Sequence, residues 1–345
     1  MAHESGSVLE NRPHSQLVWN RALKWASRNA RLLAPMVTLL TLVIFFSLTT
    51  DRFLSVVNLQ NILSQTAPIA IAAAGATFVI LCAEIDLSIG TLSVFIGVLA
   101  AWFWVGTWKD LGYWSIPVAL LVGAAIGYFN GFCVAWIGIP SFMMTLAMLT
   151  IAQGLAIYTT LSQPIFDIPE VLKYIGGTGH TVGPIPLIAV VAIVVLILSE
   201  VILSFTRFGR YVYMTGGNRE AAEMSGVNTR QVIAASLMIS GLTAGIAGLV
   251  SIGRLGSANP SASSELLITT IAAVVLGGTS LFGGEGGIKN TVLGLLIFGV
   301  VSNGLNLLPD ISIYFKQALQ GIILVGALFL NVLALRLERV QTRTE

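Results

Sequence analysis

The feature that most constrains this chain is a succession of apolar stretches, each about 20 residues long and bounded by charged residues, proline or glycine. A hydrocarbon core about 30 Å thick takes roughly 20 residues of α-helix per crossing. The stretches therefore predict an all-α polytopic membrane protein with about ten transmembrane helices. The predicted spans are residues 32–50, 62–82, 87–107, 114–136, 141–161, 186–206, 231–253, 266–283, 290–308 and 312–334.

The composition agrees with this class. Of the 345 residues, 55% are hydrophobic and 10% are charged, and the mean hydropathy is +0.87, which excludes a soluble globular domain. We predict one transmembrane domain over residues 32–334, between a basic tail at 1–31 and a short tail at 335–345. Because residues 1–31 lack a cleavage site of small residues, we expect that tail to be retained.

The basic residues predict the orientation. With the amino terminus inside, 13 of the 18 Lys and Arg lie on the inner side and 5 on the outer side. Loops rich in Lys and Arg stay in the cytoplasm. Both termini and the loop at 207–230 are therefore predicted to be cytoplasmic, and the loop at 162–185 external. This external loop contains proline and glycine runs, which are typical either of a partly ordered cap or re-entrant element or of a flexible connector.

Residues 74–100 and 273–301 share one pattern, in which an apolar helix leads through a short acidic, glycine-rich break into a second apolar helix. Transporters often contain such internal repeats. Chance similarity between apolar sequences is the alternative, and both interpretations stay open.

Glycines also recur at intervals of four residues, at Gly123, Gly127 and Gly131 and again at Gly241 and Gly245. Small residues at this spacing let helices approach closely. The stripes predict close helix packing inside the subunit or, alternatively, a contact between two subunits.

The segment 207–230 is polar and basic in an otherwise apolar chain. A turn at Gly216 and Gly217 precedes Asn218, a suitable helix N-cap, and Glu220 follows in the first turn, where the helix dipole favours negative charge. Gly226 is placed to end the short helix. Its small residues offer either a docking surface for another protein or an ordinary surface helix between two spans.

Polar side chains in or beside the spans are candidates for a solute path or gate. Ionisable groups at membrane depth are functional candidates by default, although carboxylates at the membrane interface have a structural alternative. Hydroxyl, amide and aromatic groups suit a sugar path, and bonds between helices are the alternative. The candidates are Glu84, Asp86, Ser88, Asn130, Ser141, Phe142, Thr145 and Gln153.

Patterns for catalysis and metal binding are missing from the sequence. GGEGGIKNT at 283–291 is not a phosphate loop, because Ile288 separates the glycine from the lysine and no strand precedes it. No nucleophile motif and no cluster of Cys and His ligands occurs. Cys82 and Cys133 lie in apolar runs, where a buried thiol is the expected state. We therefore predict neither an enzyme nor a metal protein, and no nucleic-acid partner, because the basic residues do not cluster with aromatic ones.

Four stretches resemble, in order and spacing, the signatures of the ribose, xylose and galactose permease branch of binding-protein-dependent ATP-binding-cassette (ABC) importers, and the resemblance covers most of the chain. They are AEIDLSIG at 83–90, IGYFNGF at 126–132, IPSFMMTLAMLTIAQGL at 139–155 and IAAVVLGGTSLFGGEGG at 271–287.

The segment 207–230 also resembles a part of such permeases, the EAA loop that grips the ATPase. The residues that match or flank its pattern, and that the resemblance implies in ATPase coupling, are Gly216, Gly217, Asn218, Glu220, Ala221, Ala222 and Gly226. One departure concerns the end of the loop. In place of Ile-x-Leu-Pro, residues 227–230 lead directly into the seventh span.

The resemblance implies a type II-like ABC importer permease fold and a subunit that moves a monosaccharide, pentose or hexose, or a related polyol, across the bacterial inner membrane. A periplasmic sugar-binding protein would deliver the solute, a cytoplasmic ABC ATPase would supply the energy, and a second permease copy or a paralogue would complete the path. The chain itself is expected to hold no cofactor, because ATP and Mg²⁺ belong to the ATPase.

Two other functions are alternatives to this one. An ion-gradient-driven secondary transporter would need carboxylates in mid-membrane, and Glu200, near the inner end of the sixth predicted span, is the nearest further candidate. An intramembrane hydrolase would need a nucleophile and a base, for which the sequence offers no pair.

Overall fold

The computed structural model describes residues 30–105, 110–177, 179–261, 264–308, 312, 314–316, 318–326 and 329. The predicted tail at 335–345 lies outside the described residues, as do residues 1–29 of the amino-terminal tail. The helices are α1 (Ala30–Thr49), α2 (Val56–Leu81), α3 (Ile89–Trp104), α4 (Ser115–Phe132), α5 (Ser141–Thr160), α6 (Glu170–Gly176), α7 (Leu187–Phe205), α8 (Arg207–Gly217), α9 (Arg219–Met224), α10 (Thr229–Leu255), α11 (Ser264–Leu276) and α12 (Ile288–Asn306).

The described part of the chain contains six helices that are long and apolar enough to cross a membrane. They are Val56–Leu81, Gly112–Ile137, Ser141–Thr160, Leu187–Phe205, Thr229–Leu255 and Ile288–Asn306. The second of these is α4 together with a short 3₁₀ turn before it and a π-helical turn after it. Shorter apolar helices occupy Leu33–Thr49, Ile89–Trp104 and Leu266–Leu276. The tenth predicted span falls largely outside the described residues, although 314–316 and 318–326 are helical. A polytopic helical protein is thus confirmed, while the number ten stays a prediction.

Prolines and caps set several helix boundaries. Pro140, Pro169 and Pro186 immediately precede α5, α6 and α7, because proline cannot donate within a helix but its fixed φ suits a helix start. Ser55 caps α2 by accepting a hydrogen bond from the Asn58 amide at 3.3 Å. Helices α5 and α7 therefore begin at or next to the predicted positions 141 and 186, whereas α2 begins at Val56, well before the predicted position 62.

Helix α10 lies at the centre of the fold and packs against α2, α3 and α4. The glycine stripes form its contact with α4. A Cβ atom at position 127 would overlap the Leu237 carbonyl oxygen, and one at position 241 would overlap the Gly123 carbonyl oxygen. The stripes thus serve helix packing inside the subunit, the first of the two interpretations.

The two stretches with the predicted repeat pattern have the same order of elements. Helices α2 and α3 are joined by residues 82–88, called the first break, and helices α11 and α12 by residues 277–287, called the second break. The two units contact each other, and the hydroxyl oxygens of Thr77 and Thr291 lie 2.8 Å apart between α2 and α12.

The predicted external loop has defined structure in its described residues. It contains α6 and a hairpin of two short strands, β1 (Thr181–Val182) and β2 (Ile185–Pro186), which pair antiparallel. Ile165 pairs with Ala258 beyond the end of α10, and a Cβ atom at Gly176 would overlap the backbone of Gly253 and Arg254 in the last turn of α10. The described residues of this part of the chain are thus an ordered element packed on the helices, while its external location stays a prediction.

Candidate functional site

The 207–230 segment folds as two helices, α8 and α9. The predicted turn at Gly216 and Gly217 is wrong, because both residues lie in the last turn of α8.

The capping of α9 agrees with the sequence prediction. The Asn218 side chain caps α9 by accepting a hydrogen bond from the Ala221 amide at 3.0 Å. Gly226 has a φ of +83° just after the helix end, a left-handed conformation that favours glycine. Ala222 is buried, whereas Glu220 and Ala221 are exposed. Helix α9 thus presents one face to solvent and anchors itself by the other.

The unusual end of this segment has a structural explanation. Val227 is buried in an apolar cluster with Ala222 and Leu237, and its amide donates to the Ala222 carbonyl at 3.0 Å. Asn228 then caps α10 by accepting from the Gln231 amide at 3.1 Å. The chain therefore turns directly from α9 into α10 without the Ile-x-Leu-Pro end.

The 207–230 segment also contacts both breaks. Arg219 forms an ion pair with Glu84 of the first break at 3.1 Å. The Tyr213 hydroxyl donates to the Gly286 carbonyl of the second break at 2.9 Å. Burial raises the pKa of that hydroxyl, and the nearby Glu200 carboxylate raises it further. The 207–230 segment and the two breaks therefore meet on one side of the helices.

Asp86 is buried in the first break and accepts three hydrogen bonds. Its Oδ1 atom accepts from the Ser88 amide at 2.9 Å and from the Ser88 hydroxyl at 2.6 Å, and its Oδ2 atom accepts from the Ser240 hydroxyl of α10 at 2.7 Å. Burial raises the pKa of Asp86 above its usual value, and these hydrogen bonds offset only part of the rise. The Asn130 amide donates to the Ser88 hydroxyl at 3.4 Å. Asp86 thus joins the first break to α10 by hydrogen bonds, and Asn130 connects α4 to the same hydrogen-bond network.

Two further path candidates, Ser141 and Thr145, hold the backbone of the same break. The Ser141 hydroxyl accepts from the Ile85 amide at 3.1 Å, and the Thr145 hydroxyl accepts from the Leu87 amide at 3.0 Å. Their positions on one face of α5 follow from the i, i+4 spacing. These two side chains thus provide acceptors for the backbone amides of the first break, which would otherwise lack partners inside the protein.

The remaining two candidates lie apart from this network. Phe142 is 46% exposed on the outer surface of α5. The Gln153 amide donates to the Pro260 carbonyl at 2.9 Å, beyond the other end of α10. Of the eight path candidates, the structure therefore brings together Glu84, Asp86, Ser88, Asn130, Ser141 and Thr145, around the first break.

A cavity of about 470 Å³ lies between α2, α3, α10, α11 and α12. Its residues in α2, α10, α11 and α12 lie toward the ends of these helices that are remote from the 207–230 segment, whereas Ser93 and Val94 lie near the start of α3. Hydroxyl and amide side chains line much of the cavity, and Arg254 and Phe298 contribute a positive charge and an aromatic ring to the lining. Among the polar residues are Gln65, Thr66, Ser93, Ser251, Asn259 and Ser302. Such a lining can hydrogen-bond a solute with many hydroxyl groups. None of the eight path candidates borders this cavity, so their part in a solute path stays a prediction.

Sequence reasoning missed the cavity and the second break as parts of the site. In the sequence, the hydroxyl residues of the cavity are only a weak sign of a solute site, because a hydroxyl in a helix can bond its own backbone. Those of Thr66, Ser93 and Ser251 do donate to carbonyls of their own helices. The glycine run of the second break carried a stronger signal. Its residues with positive φ include Gly283, Gly284, Gly286 and Gly287, a density typical of a backbone in close contact with its neighbours.

Comparison with known proteins identifies the family. A family model described as the permease component of the branched-chain amino acid transport system matches residues 58–328. The chain belongs to this permease family. A ribose import permease protein of Haemophilus influenzae is 38% identical over 295 residues, which are 84% of this chain and 90% of that relative. The ribose import permease protein of Escherichia coli K12 is 36% identical over 299 residues, or 86% and 92%.

A xylose transport system permease protein of Escherichia coli K12 is 31% identical over 371 aligned positions, which cover 88% of this chain and 92% of the relative. These matches confirm the resemblance to monosaccharide permeases that the sequence motifs indicated. No solved structure matches the chain. As a permease of this family, the chain is related to transport subunits rather than to enzymes.

Proposed function

We propose that this chain is the transmembrane subunit of an ABC importer that moves a monosaccharide, or a related polyol, into the bacterial cell. The observation that carries the proposal is the cavity of about 470 Å³ with its hydroxyl and amide lining. A neutral sugar exchanges its hydration shell for hydrogen bonds to such groups at little cost. The ribose and xylose relatives supply the solute class.

A partner ATPase supplies the energy in this proposal. Helix α9 exposes Glu220 and Ala221 on the side where the breaks meet, a surface that another protein can contact. The rival ion-driven mechanism needs carboxylates that change partners across the membrane. Among the described residues, Glu84 pairs with Arg219, Asp86 with two serines, and Glu200 with Lys289 at 3.3 Å. These pairings favour structural roles for all three acids.

The other partners follow from the same proposal. A periplasmic binding protein delivers the solute to the face that carries the cavity and the α6 element, and a second permease, identical or paralogous, completes the assembly. ATP and Mg²⁺ act on the ATPase. The chain lies in the inner membrane with both termini in the cytoplasm.

Uptake by the reconstituted assembly tests this function. Proteoliposomes that contain the chain, its ATPase and its binding protein should accumulate labelled ribose or xylose only when ATP is present. Ser302→Phe should reduce uptake to near background, because the bulky ring fills the cavity that Ser302 lines. Thr150→Phe, on the exposed surface of α5, is the control and should transport normally. Uptake that persists without ATP and collapses with the proton gradient would support the rival function instead.

Reporter fusions test the orientation. A reporter active only in the periplasm should be inactive when fused after Glu345, and active when inserted near Glu170 in the 162–185 loop. The expectation rests on the excess of basic residues, 13 against 5, on the predicted inner side. Activity of the fusion after Glu345 would invalidate the proposed topology.

A further inference from the structure

We propose that Gly216 maintains a three-way backbone contact through which movement of α8 and α9 reaches both helix–break–helix units at once. This contact, called the glycine joint, consists of Gly216, Leu81 of α2 and residues 283–284 of the second break. The inference rests on the proposed function, since it assigns the route by which an ATPase bound to α9 acts on the helices around the cavity.

The backbone distances define the joint. The Gly284 amide donates to the Leu81 carbonyl at 2.9 Å, which links the second break to the end of α2. Gly216 lies against this hydrogen bond. A Cβ atom at position 216 would overlap the Leu81 carbonyl oxygen and lie 2.8 Å from the Gly284 nitrogen. Only glycine therefore fits at 216 while the other two segments stay bonded.

The second break is shaped to make this approach. Gly283 and Gly284 have φ values of +82° and +71°, which other residues adopt only with strain. A Cβ atom at 283 would lie 2.8 Å from the Ala83 nitrogen, and one at 284 would lie 2.7 Å from the Gly217 Cα. Both neighbours are backbone and cannot rotate away. The three segments are therefore packed almost backbone to backbone, with the methyl group of Ala83 as the side chain nearest to position 283.

Two side-chain contacts flank the joint and tie the same segment to the same two breaks. Arg219 reaches Glu84 at 3.1 Å, and Tyr213 reaches the Gly286 carbonyl at 2.9 Å. One side chain thus ties each break to the 207–230 segment, and the joint adds backbone contacts with the end of α2 and with the second break.

The consequence is mechanical. Close-packed contacts switch between discrete arrangements instead of deforming gradually, so a shift of α8 moves the Leu81 and Gly284 backbones together. Helices α2, α3, α11 and α12 all border the cavity. A joint that holds the end of α2 and the second break therefore acts on both sides of the cavity in the same step.

Hydrogen exchange on the purified chain tests the joint itself. Gly216→Ala should speed exchange at the Gly284 amide by roughly tenfold or more, because the added methyl group separates Gly284 from Leu81. Gly154→Ala is the matched control, since position 154 is also helical and has nothing within 4 Å of a Cβ atom. Unchanged exchange at Gly284 in Gly216→Ala would disprove the joint, whatever the transport function.

Coupling in the complete transporter tests its role. In Gly216→Ala, the ATPase should remain bound and hydrolyse ATP, while the solute transported per ATP falls roughly tenfold. Tyr213→Phe removes one flanking bond without added bulk and should lower the ratio less, whereas Tyr158→Phe, 77% exposed on α5, should not change it.

The outcomes separate the two proposals. An unchanged ratio of transport to ATP hydrolysis in Gly216→Ala, or loss of the ATPase from that variant, would overturn the coupling role of the joint. Absence of ATP-dependent uptake in the wild-type assembly would instead overturn the proposed function. If Gly216→Ala fails to fold, an unchanged ratio in Tyr213→Phe would overturn the inference.

Discussion

Asp86→Ala is expected to destabilise the protein and to abolish transport, with the largest effect of any single change in the first break. The substitution leaves the Ser88 amide, the Ser88 hydroxyl and the Ser240 hydroxyl without their acceptor in a buried site. Each such group costs about 1–3 kcal/mol. Loss of the buried carboxylate also removes its own desolvation cost, which offsets part of this sum, so the free energy of unfolding should fall by about 2–5 kcal/mol. Unfolding of the purified chain in mixed micelles, followed by circular dichroism, measures this change.

Two further variants control the interpretation. Asp86→Asn keeps one oxygen acceptor and should lie between the wild type and the alanine variant. Asp51→Ala removes a carboxylate that is exposed in the turn before α2 and should leave the stability unchanged. Equal stability of Asp86→Ala and the wild type would mean that the network around Asp86 does not hold the break.

The helices were predictable because membrane spans depend on a simple physical requirement. A segment in lipid must bond its own backbone groups and expose apolar side chains, and this requirement appears in the sequence as long apolar stretches. The predicted span 231–253 corresponds to α10 at Thr229–Leu255, and 186–206 to α7 at Leu187–Phe205. The capping of α9 by Asn218 was predictable for a similar reason, since it depends only on residues next to each other in sequence.

The site was less predictable because its contacts join residues far apart in sequence. Ser141 and Thr145 were correctly placed on one face of a helix, but the sequence does not show that this face meets the backbone of Ile85 and Leu87. A hydroxyl group in an apolar helix can bond its own helix, another helix or a solute, and the sequence of the helix looks the same in all three cases. The second break was overlooked for a related reason. A glycine run shows that the backbone is unusual, but not which backbone it approaches.

The pairing of Glu84 with Arg219 clarifies the acidic motif of the first break. The two acids are separated by one residue, yet the structure gives them different partners. Glu84 turns to the 207–230 segment, whereas Asp86 turns inward to α10. One short motif thus connects the surface segment to the central helix, which explains why the carboxylates occur together in a chain that has few charges.

Glu220→Lys is expected to weaken retention of the partner ATPase by roughly tenfold, or about 1.4 kcal/mol, while the chain still folds and inserts. Glu220 is exposed in the first turn of α9, and Met224 on the same helix is 91% exposed. Reversal of the charge at the positive end of the helix dipole costs the helix only about 0.3–1 kcal/mol. The main effect should therefore fall on the surface that α9 presents to its partner, measured by copurification and by the binding affinity of the isolated ATPase.

Glu170→Lys is the matched control for this charge reversal. It also reverses an exposed acid in the first turn of a short helix, but α6 lies on the opposite side of the predicted membrane, out of reach of a cytoplasmic protein. The ATPase should be retained by Glu170→Lys and lost from Glu220→Lys at moderate salt, and the difference should shrink at high salt if attraction between charges contributes. Equal retention by the two variants at every salt concentration would show that α9 is a surface helix between two spans and not the docking site of the ATPase.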